Sequence, residues 1–412
     1  MKHRLVIITE IIAPYRIPVF NVLARHPEID LKVIFLAKTD PSTRQWRVYA
    51  DEIEFAHEVL PAWRTRVKKY NILLNQNVVD SLRNTNPDVI VCGGYNYLAS
   101  WQALRWANQN DVPFLLWCES TAKDERGGHR IIEALKKKFF DKCGGCIVPG
   151  AASAEYARQM GVPSEHIFTA PNAVDNRLFA SRADDARRNA PRIKAELYLP
   201  QRYFLFAGRL VESKGVFQLL EAYSSLNENL RSHVGLVFAG DGPLRPELED
   251  LAKSIRPGTI RFAGFVQRDD LASYYGLADC LVFPSHSDPW GLVVNEAMAC
   301  GLPVICGQSA GCTADLVKSN GRLIDSRNVE QLAQAMEELA GDEDLRRQMS
   351  RESLKIIQNY SPEMCAAGIA QSALTIIRKR RSPRSDLPPV HMRNRKASPL
   401  LPELHEPRNL TQ

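Results

Sequence analysis

Short apolar runs rich in Val, Ile and Phe alternate with longer segments of helical period along this chain, the pattern of βα units that build a parallel sheet. The alternation occurs twice. In the first half it predicts strands over 5–9, 31–37, 88–92, 114–117 and 146–149, and in the second half over 203–207, 234–239, 260–265, 280–284 and 303–306. Between the halves, residues 176–200 are polar and charged, contain the run RADDARR from position 182, and show no sustained apolar period, so they read as an interdomain linker. Ser361-Pro362 is a helix-start signal, and the segment from there to Ile377 is apolar enough to pack as a last helix. The expected order is a Rossmann-like domain over 1–175, the linker over 176–200, a second Rossmann-like domain over 201–360, a helix over 361–377 and a disordered Pro- and Arg-rich tail over 378–412. Two such domains in tandem bring the C-terminal strand edges of both sheets to one cleft. Function is therefore sought in the post-strand loops.

Composition agrees with two packed cores, since 412 residues exceed one ordinary core and the 45% apolar and 24% charged fractions are those of globular proteins. The first apolar run covers only 5–8 before Thr9 and Glu10 interrupt it, too short for a secretory leader, and no stretch approaches a membrane span. A cytoplasmic protein is expected, with any membrane contact peripheral. Nine cysteines without a regular framework suit a reducing compartment. Cys143-Gly-Gly-Cys146 has CxxC spacing but no second pair or nearby histidine, so it is assigned neither zinc nor redox work. The net charge of +6 belongs to the tail, where 378–412 carries nine Lys/Arg against three Asp/Glu. Residues 1–170 carry 22 basic and 18 acidic side chains, a small surplus that points the first half toward an anionic partner. Nucleic acid is not expected as a partner, because only the tail is strongly basic.

Two post-strand loops carry the candidate chemistry. In YFLFAGRLVESKG, starting at Tyr203, an apolar strand ends in a Gly turn, and Arg209 and Lys214 then stand just ahead of a helix. Two mobile cations beside free helix N–H groups make a site for a diphosphate. In HSDPWGLVVNEAMACGLPVI, starting at His286, Asp288 falls in a loop and Glu296 on the following helix. Carboxylates accept hydrogen bonds from vicinal hydroxyls, so one can meet a sugar and the other a ribose. The plainer alternative is that Asp288 caps the helix and Glu296 is solvated. The only literal DxD, Asp342-Glu343-Asp344, opens a charged helix and reads as its first turn, so no metal is expected.

The segments GRLVESKG, AGDGP, GFVQRDDLASYYGLADCLVFPS and DPWGLVVNEAMACGLPVI resemble glycosyltransferase family 4, and the resemblance covers nearly all of the second half. It implies the GT-B fold, two Rossmann-like parallel-sheet domains facing a cleft, and a retaining transferase that takes a sugar from a nucleotide-diphosphate donor. Asp288 and Glu296 fit the family's acidic pair, with Asp in place of the commoner Glu at the first position. By this resemblance Arg209 and Lys214 neutralise the diphosphate, Glu296 holds the ribose and Asp288 contacts the donor sugar. Gly208, Gly240, Gly242, Pro289, Trp290, Gly291, Leu292 and Val293 are the further donor-side candidates. No nucleophile is evident on the far face of the sugar, so a same-face displacement is implied, in which the donor phosphate helps take the acceptor proton.

The first half resembles the family less closely, through IIAPYRIPVFNVLA and WCESTA. Acceptors bind there in the family. Pro14-Tyr15-Arg16 stands where many relatives have a Gly-rich loop, which leaves Arg16 as the candidate anion contact. Glu119 follows the strand ending at Trp117, where some relatives carry a histidine, and the nearest histidine here is His129. Glu119 is either an acceptor-side residue or a structural one. Asn172, in APNAVD, either faces the cleft or belongs to a simple turn. The implied acceptor is a saccharide or lipid-linked saccharide, in the setting of bacterial envelope or exopolysaccharide assembly. HRIIEALKKKFF, from His129, places Ile131, Leu135 and Phe139 on one side and Lys136 to Lys138 on another, so it either docks on anionic lipid or packs in the core. A sugar-nucleotide epimerase and a non-catalytic sugar-nucleotide-binding protein remain the alternatives. A dinucleotide oxidoreductase is disfavoured by the absence of GxGxxG.

Overall fold

Most of the apolar runs become strands buried on both faces in the computed structural model, which describes residues 2–40, 44–67, 70–123, 130–255 and 259–381. The first half contains β1 (His3–Thr9), β2 (Ile29–Phe35), β3 (Ala56–Val59), β4 (Ala62–Val67), β5 (Tyr70–Asn75), β6 (Val89–Cys92), β7 (Phe114–Trp117), β8 (Gly145–Val148) and β9 (Ile167–Thr169). The second contains β10 (Tyr203–Ala207), β11 (Gly235–Ala239), β12 (Ile260–Gly264), β13 (Cys280–Phe283), β14 (Val304–Gly307) and β15 (Gly321–Ile324). The larger sheet runs β3-β2-β1-β6-β7-β8-β9 and the smaller β12-β11-β10-β13-β14-β15, with every pairing parallel. Each sheet reverses its winding beside its first strand, between β1 and β6 and between β10 and β13. Ligand crevices of open α/β sheets form at these switch points.

All ten strands expected from the apolar runs are present, their ends within two residues of the expected ones. Those that the runs do not announce are β3, β9 and β15, which lie at sheet edges and are only partly covered, and the antiparallel β4–β5 pair. An edge strand buried on few sides needs no continuous apolar run, so it can leave little trace in the sequence, although the edge strand β12 does carry one.

Each sheet is sandwiched between two clusters of buried side chains. In the first, Leu5, Ile7 and Val33 face the helices Ile17–Ala24 and Pro362–Arg381, while Val6, Ile8 and Ile34 face the opposite way, toward Val78, Ala103 and Phe139. Burying these faces at about 25 cal/mol per Å² of apolar surface supplies the main drive for folding.

Two expectations are corrected. Residues 176–200 form the helices Asn176–Arg188 and Ala190–Leu197. The first is capped by Asp175, which accepts from Leu178 N at 2.9 Å, and buries Phe179, Ala183 and Ala186 against the second domain. A Cβ on Gly276 would lie 2.8 Å from Ala183 Cα, so this helix sits almost in backbone contact with Arg268–Leu277. Its buried stripe is made largely of alanine, which a reading for large apolar residues passes over. The last helix also runs further than expected, over Pro362–Arg381, so positions 378–381 are helical and the tail beyond lies outside the described residues. This helix returns to the first domain, where Cys365, Ala366, Ile369 and Ala373 pack with Ile17, Phe20 and Leu23.

The basic helix Arg130–Phe140 divides between its two readings. Phe139 and Phe140 are buried in the core, whereas Ile132 and Leu135 are exposed and Lys136 is paired with Glu133 at 2.7 Å. Leu135 and Phe139 therefore do not share an exposed stripe. Asp342 caps Glu343–Ile357, accepting from Leu345 N at 2.8 Å, as its position ahead of a charged helix suggests. Cys146 is buried within β8, and burial pushes its thiol well up. Among the described residues no helix is long and apolar enough to cross a membrane.

Candidate active site

The ends of β10, β11 and β13 bring the donor-side candidates together. Gly208 leaves β10 with φ +146, a conformation that favours glycine, and the loop then interlocks with the one after β11. Gly208 N donates to Ala239 O at 3.1 Å, Leu210 N to Asp241 O at 3.0 Å and Leu244 N to Leu210 O at 3.2 Å. A Cβ on Gly240 would stand 1.8 Å from Gly208 O, and one on Gly242 would stand 2.4 Å from Leu210 O. The glycines are thus required by backbone contact between neighbouring loops.

Arg209 projects from this loop as an exposed guanidinium, with no partner among the described residues. Lys214 closes the short turn Glu212–Lys214 and enters an ion pair with Asp288 Oδ2, both side chains about one-fifth exposed. Asp288 is also held by its own loop: its Oδ1 accepts from Trp290 N at 3.0 Å, and its carbonyl accepts from Gly311 N at 2.9 Å. The loop-held carboxylate and the lysine therefore neutralise each other in the unliganded protein, with Arg209 left as the open cation.

Gly291, at φ +98, starts the helix Leu292–Ala299, which carries Glu296. Glu296 is half-buried, and its Oε2 accepts from the Tyr275 hydroxyl at 2.7 Å. Burial pushes its carboxyl up to about 7, a rise that the Tyr275 bond partly offsets. Tyr275 is a site residue that sequence reasoning missed; its only signal is a position within the quoted YYGLAD segment.

Trp290 is placed otherwise than its neighbours. Its indole is buried, donates from Nε1 to Asn295 Oδ1 at 2.8 Å, and lies where a Cβ on Gly150 of the first domain would touch it at 2.8 Å. Asn295 in turn donates to Asn172 O at 2.9 Å. Trp290, Asn295 and the buried Asn172 thus form a bridge between the domains, and it is the Trp290 backbone that steadies Asp288.

On the acceptor side, Arg16 and Glu119 do come together. Arg16 Nη2 donates to Glu119 Oε1 at 2.8 Å, and the guanidinium lies 4.0 Å from the Trp117 ring centroid. Burial is the largest influence and opposes its charge, but Glu119, Tyr15 and Cys365 together outweigh it and hold the guanidinium's pKa above its ordinary value. Nη1 is buried without a hydrogen-bond partner. His129 lies outside the described residues.

Further contacts join the two domains. Arg268 forks onto both Glu52 oxygens, at 2.9 and 2.5 Å, and stacks 3.9 Å from the Tyr49 ring centroid. Beside Trp290, Asp315 accepts from Ala151 N at 3.0 Å, and burial raises its pKa.

Two family descriptions match the chain in succession: "Glycosyltransferase Family 4" over residues 28–178 and "Glycosyl transferases group 1" over residues 188–355. The chain belongs to the family 4 glycosyltransferases. An uncharacterised glycosyltransferase of Methanocaldococcus jannaschii is 33% identical over 165 residues, 39% of this chain and 42% of that protein. Glycogen synthase of Mycobacterium tuberculosis is 27% identical over 319 residues, 75% of this chain and 73% of that protein. The glycosyltransferase thus spans less than half the length of the first curated relatives it matches, and more of others. Among solved structures, HepE of Anabaena in complex with UDP and glucose superposes with a TM-score of 0.70 at 16% identity, over 90% of this chain and all of that one. That likeness establishes the GT-B fold.

Proposed function

We propose that this glycosyltransferase moves a sugar, with retention, from a nucleoside-diphosphate donor to a saccharide or lipid-linked saccharide. The observation that carries the proposal is the placement of Arg209 and Lys214 after β10 and of Asp288 and Glu296 after the adjacent β13, on either side of a switch point, with Lys214 paired to Asp288. The UDP in the HepE complex supports a nucleoside diphosphate as the ligand.

Arg209 and Lys214 take the diphosphate. As the anomeric C–O bond breaks, negative charge grows on the leaving phosphate, and preorganised donors at such a position commonly contribute roughly 100- to 1,000-fold in rate. Lys214 reaches the phosphate by leaving Asp288, which frees that carboxylate to accept from a donor-sugar hydroxyl. Glu296, oriented by Tyr275, accepts from the ribose. The leaving phosphate oxygen, on the face that the acceptor enters, takes the acceptor proton. No step is assigned to a metal.

The test is the thermal shift of the purified protein with UDP, GDP, ADP and NAD, repeated on Lys214→Ala and Glu296→Ala. A ligand at about 100 times its Kd adds roughly 2.7 kcal/mol of stability. One nucleoside diphosphate is expected to stabilise the protein, and both variants to lose that shift. No shift, or a shift with NAD alone, would overturn the donor site.

A further inference from the structure

Lys214 and Asp288 meet through their side chains, and the main chain beneath them is joined as well. Ser213, the residue before Lys214, turns its carbonyl toward the segment that leads from β13 to Asp288. That oxygen accepts from Ser285 Oγ at 3.1 Å, from His286 N at 2.9 Å and from Ser287 N at 3.4 Å. Gly215, the residue after Lys214, has φ +68 and lies so close to the same segment that a Cβ there would stand 2.1 Å from Pro284 O. Lys214 is thus flanked on both sides by residues seated on Pro284 to Ser287, directly ahead of Asp288.

The side chain in this junction is that of Ser285. It is fully buried, and its single hydroxyl proton faces two carbonyls, Ser213 O and Ser287 O, each at 3.1 Å. The first belongs to the Lys214 turn and the second to the residue before Asp288. The serine is held from behind: Ser326 Oγ donates to Ser285 O at 2.9 Å, and a Cβ on Gly307 would stand 2.7 Å from that oxygen. The backbone that carries the hydroxyl is therefore fixed independently of Lys214. Ser213 O keeps its bond from His286 N if the hydroxyl is removed, so no carbonyl is stranded there and the loss falls mainly on the precision of the junction.

We propose that Ser285 is a positioning residue of the donor site, whose hydroxyl fixes the Lys214 turn against the Asp288 loop. When the lysine exchanges Asp288 for the diphosphate, only its side chain then has to move. A cation whose main chain is already in place spends less of its binding energy on ordering, and misplacing such a group costs more than the lost hydrogen bond itself. The role rests on the function proposed above, since it acts through the lysine's contact with a diphosphate.

Ser353 supplies the comparison. It is equally buried and donates from Oγ to Leu302 O at 2.6 Å, but Leu302 precedes β14, at the opposite end of the sheet from the site. The test is calorimetric titration of UDP, GDP and ADP, into the millimolar range, on the unmodified protein, Ser285→Ala, Ser353→Ala, Lys214→Ala and Ser285→Ala/Lys214→Ala. The free diphosphate carries no sugar, so it reads the lysine half of the junction. The nucleotide that binds the unmodified protein is expected to lose about tenfold in affinity in Ser285→Ala and less than about twofold in Ser353→Ala. In the Lys214→Ala background, Ser285→Ala should remove less than about twofold more, because residues that act through one another are not additive. Ser326→Ala, which releases the Ser285 carbonyl, is the second variant: it should lose about threefold, again only while Lys214 is present, and it decides the matter if Ser285→Ala does not fold. Unchanged affinity in Ser285→Ala, equal losses in the two serine variants, or a full further loss in the Lys214→Ala background would overturn the proposal and leave the donor site standing. Failure of the unmodified protein to bind any of the three nucleotides would overturn both.

Discussion

The post-strand loops of the two domains share main-chain hydrogen bonds but differ in what else fixes them. In the second domain they are backbone structures: the β10 and β11 loops exchange main-chain hydrogen bonds, and Gly240 and Gly242 are required because the next carbonyl occupies the place of a Cβ. In the first domain the loops after β1 and β2 also exchange main-chain hydrogen bonds, Ala37 N to Glu10 O at 2.8 Å and Ile12 N to Lys38 O at 3.3 Å, but without glycines, and side-chain pairs, Arg16 with Glu119 and Arg64 with Asp40, add to them beside an appended hairpin. A binding surface made of backbone admits little variation, whereas one made of paired side chains can be rebuilt by substitution. The difference fits a donor half that recognises one shared chemistry, a nucleoside diphosphate, and an acceptor half free to change partners.

The largest expected effect comes from breaking the backbone side of this contrast. Gly240→Ala drives a methyl into Gly208 O, and overpacking of this kind costs about 3 kcal/mol. Its melting temperature should fall and its nucleotide shift should vanish. Gly93→Ala, just after β6 in the first domain, puts a Cβ in ordinary contact with Thr9 at 3.4 Å and should leave both nearly unchanged. Equal tolerance at the two positions would remove the contrast.

Arg16→Ala tests the side-chain half. Loss of the charged hydrogen bond to Glu119 should cost about 2 kcal/mol in denaturant unfolding without changing nucleotide affinity. If stability held while the acceptor KM rose, Arg16 would instead belong to acceptor binding.

The smallest effect sharpens the donor side. Burial holds the Glu296 pKa at about 7, and in the role proposed above its ionised form is the one that accepts from the ribose. Nucleotide-sugar affinity should therefore rise about tenfold from pH 6 to pH 8, levelling off above 7, as binding draws the carboxyl's pKa down. A nucleotide sugar is preferred to the free diphosphate because it has no phosphate that titrates in this range. Glu296→Gln should flatten the profile. The same raised pKa has the opposite sign for the unliganded fold: the folded state holds the proton longer than the unfolded one, so this group lowers stability as pH rises from about 4.5 to 7.

Much of this molecule was determined by the sequence alone, wherever a local pattern answers to a local cause. Strands buried on both faces must be continuous apolar runs, so the inner strands of both sheets were legible with their ends. The Gly turns, the cations before a helix and the cap at Asp342 are likewise short-range arrangements. Tertiary structure decided what depends on partners distant in the chain. Lys214 meets Asp288 across 74 positions and Arg16 meets Glu119 across 103, and no periodicity announces either pair. It likewise put Tyr275 on Glu296, turned the Trp290 indole toward the first domain, and packed the alanine stripe of Asn176–Arg188 against Gly276. The hairpin is the same case. Its residues alternate as any half-buried strand pair would, and only the fold around it determines that Leu73 is covered while Trp63 is left outside.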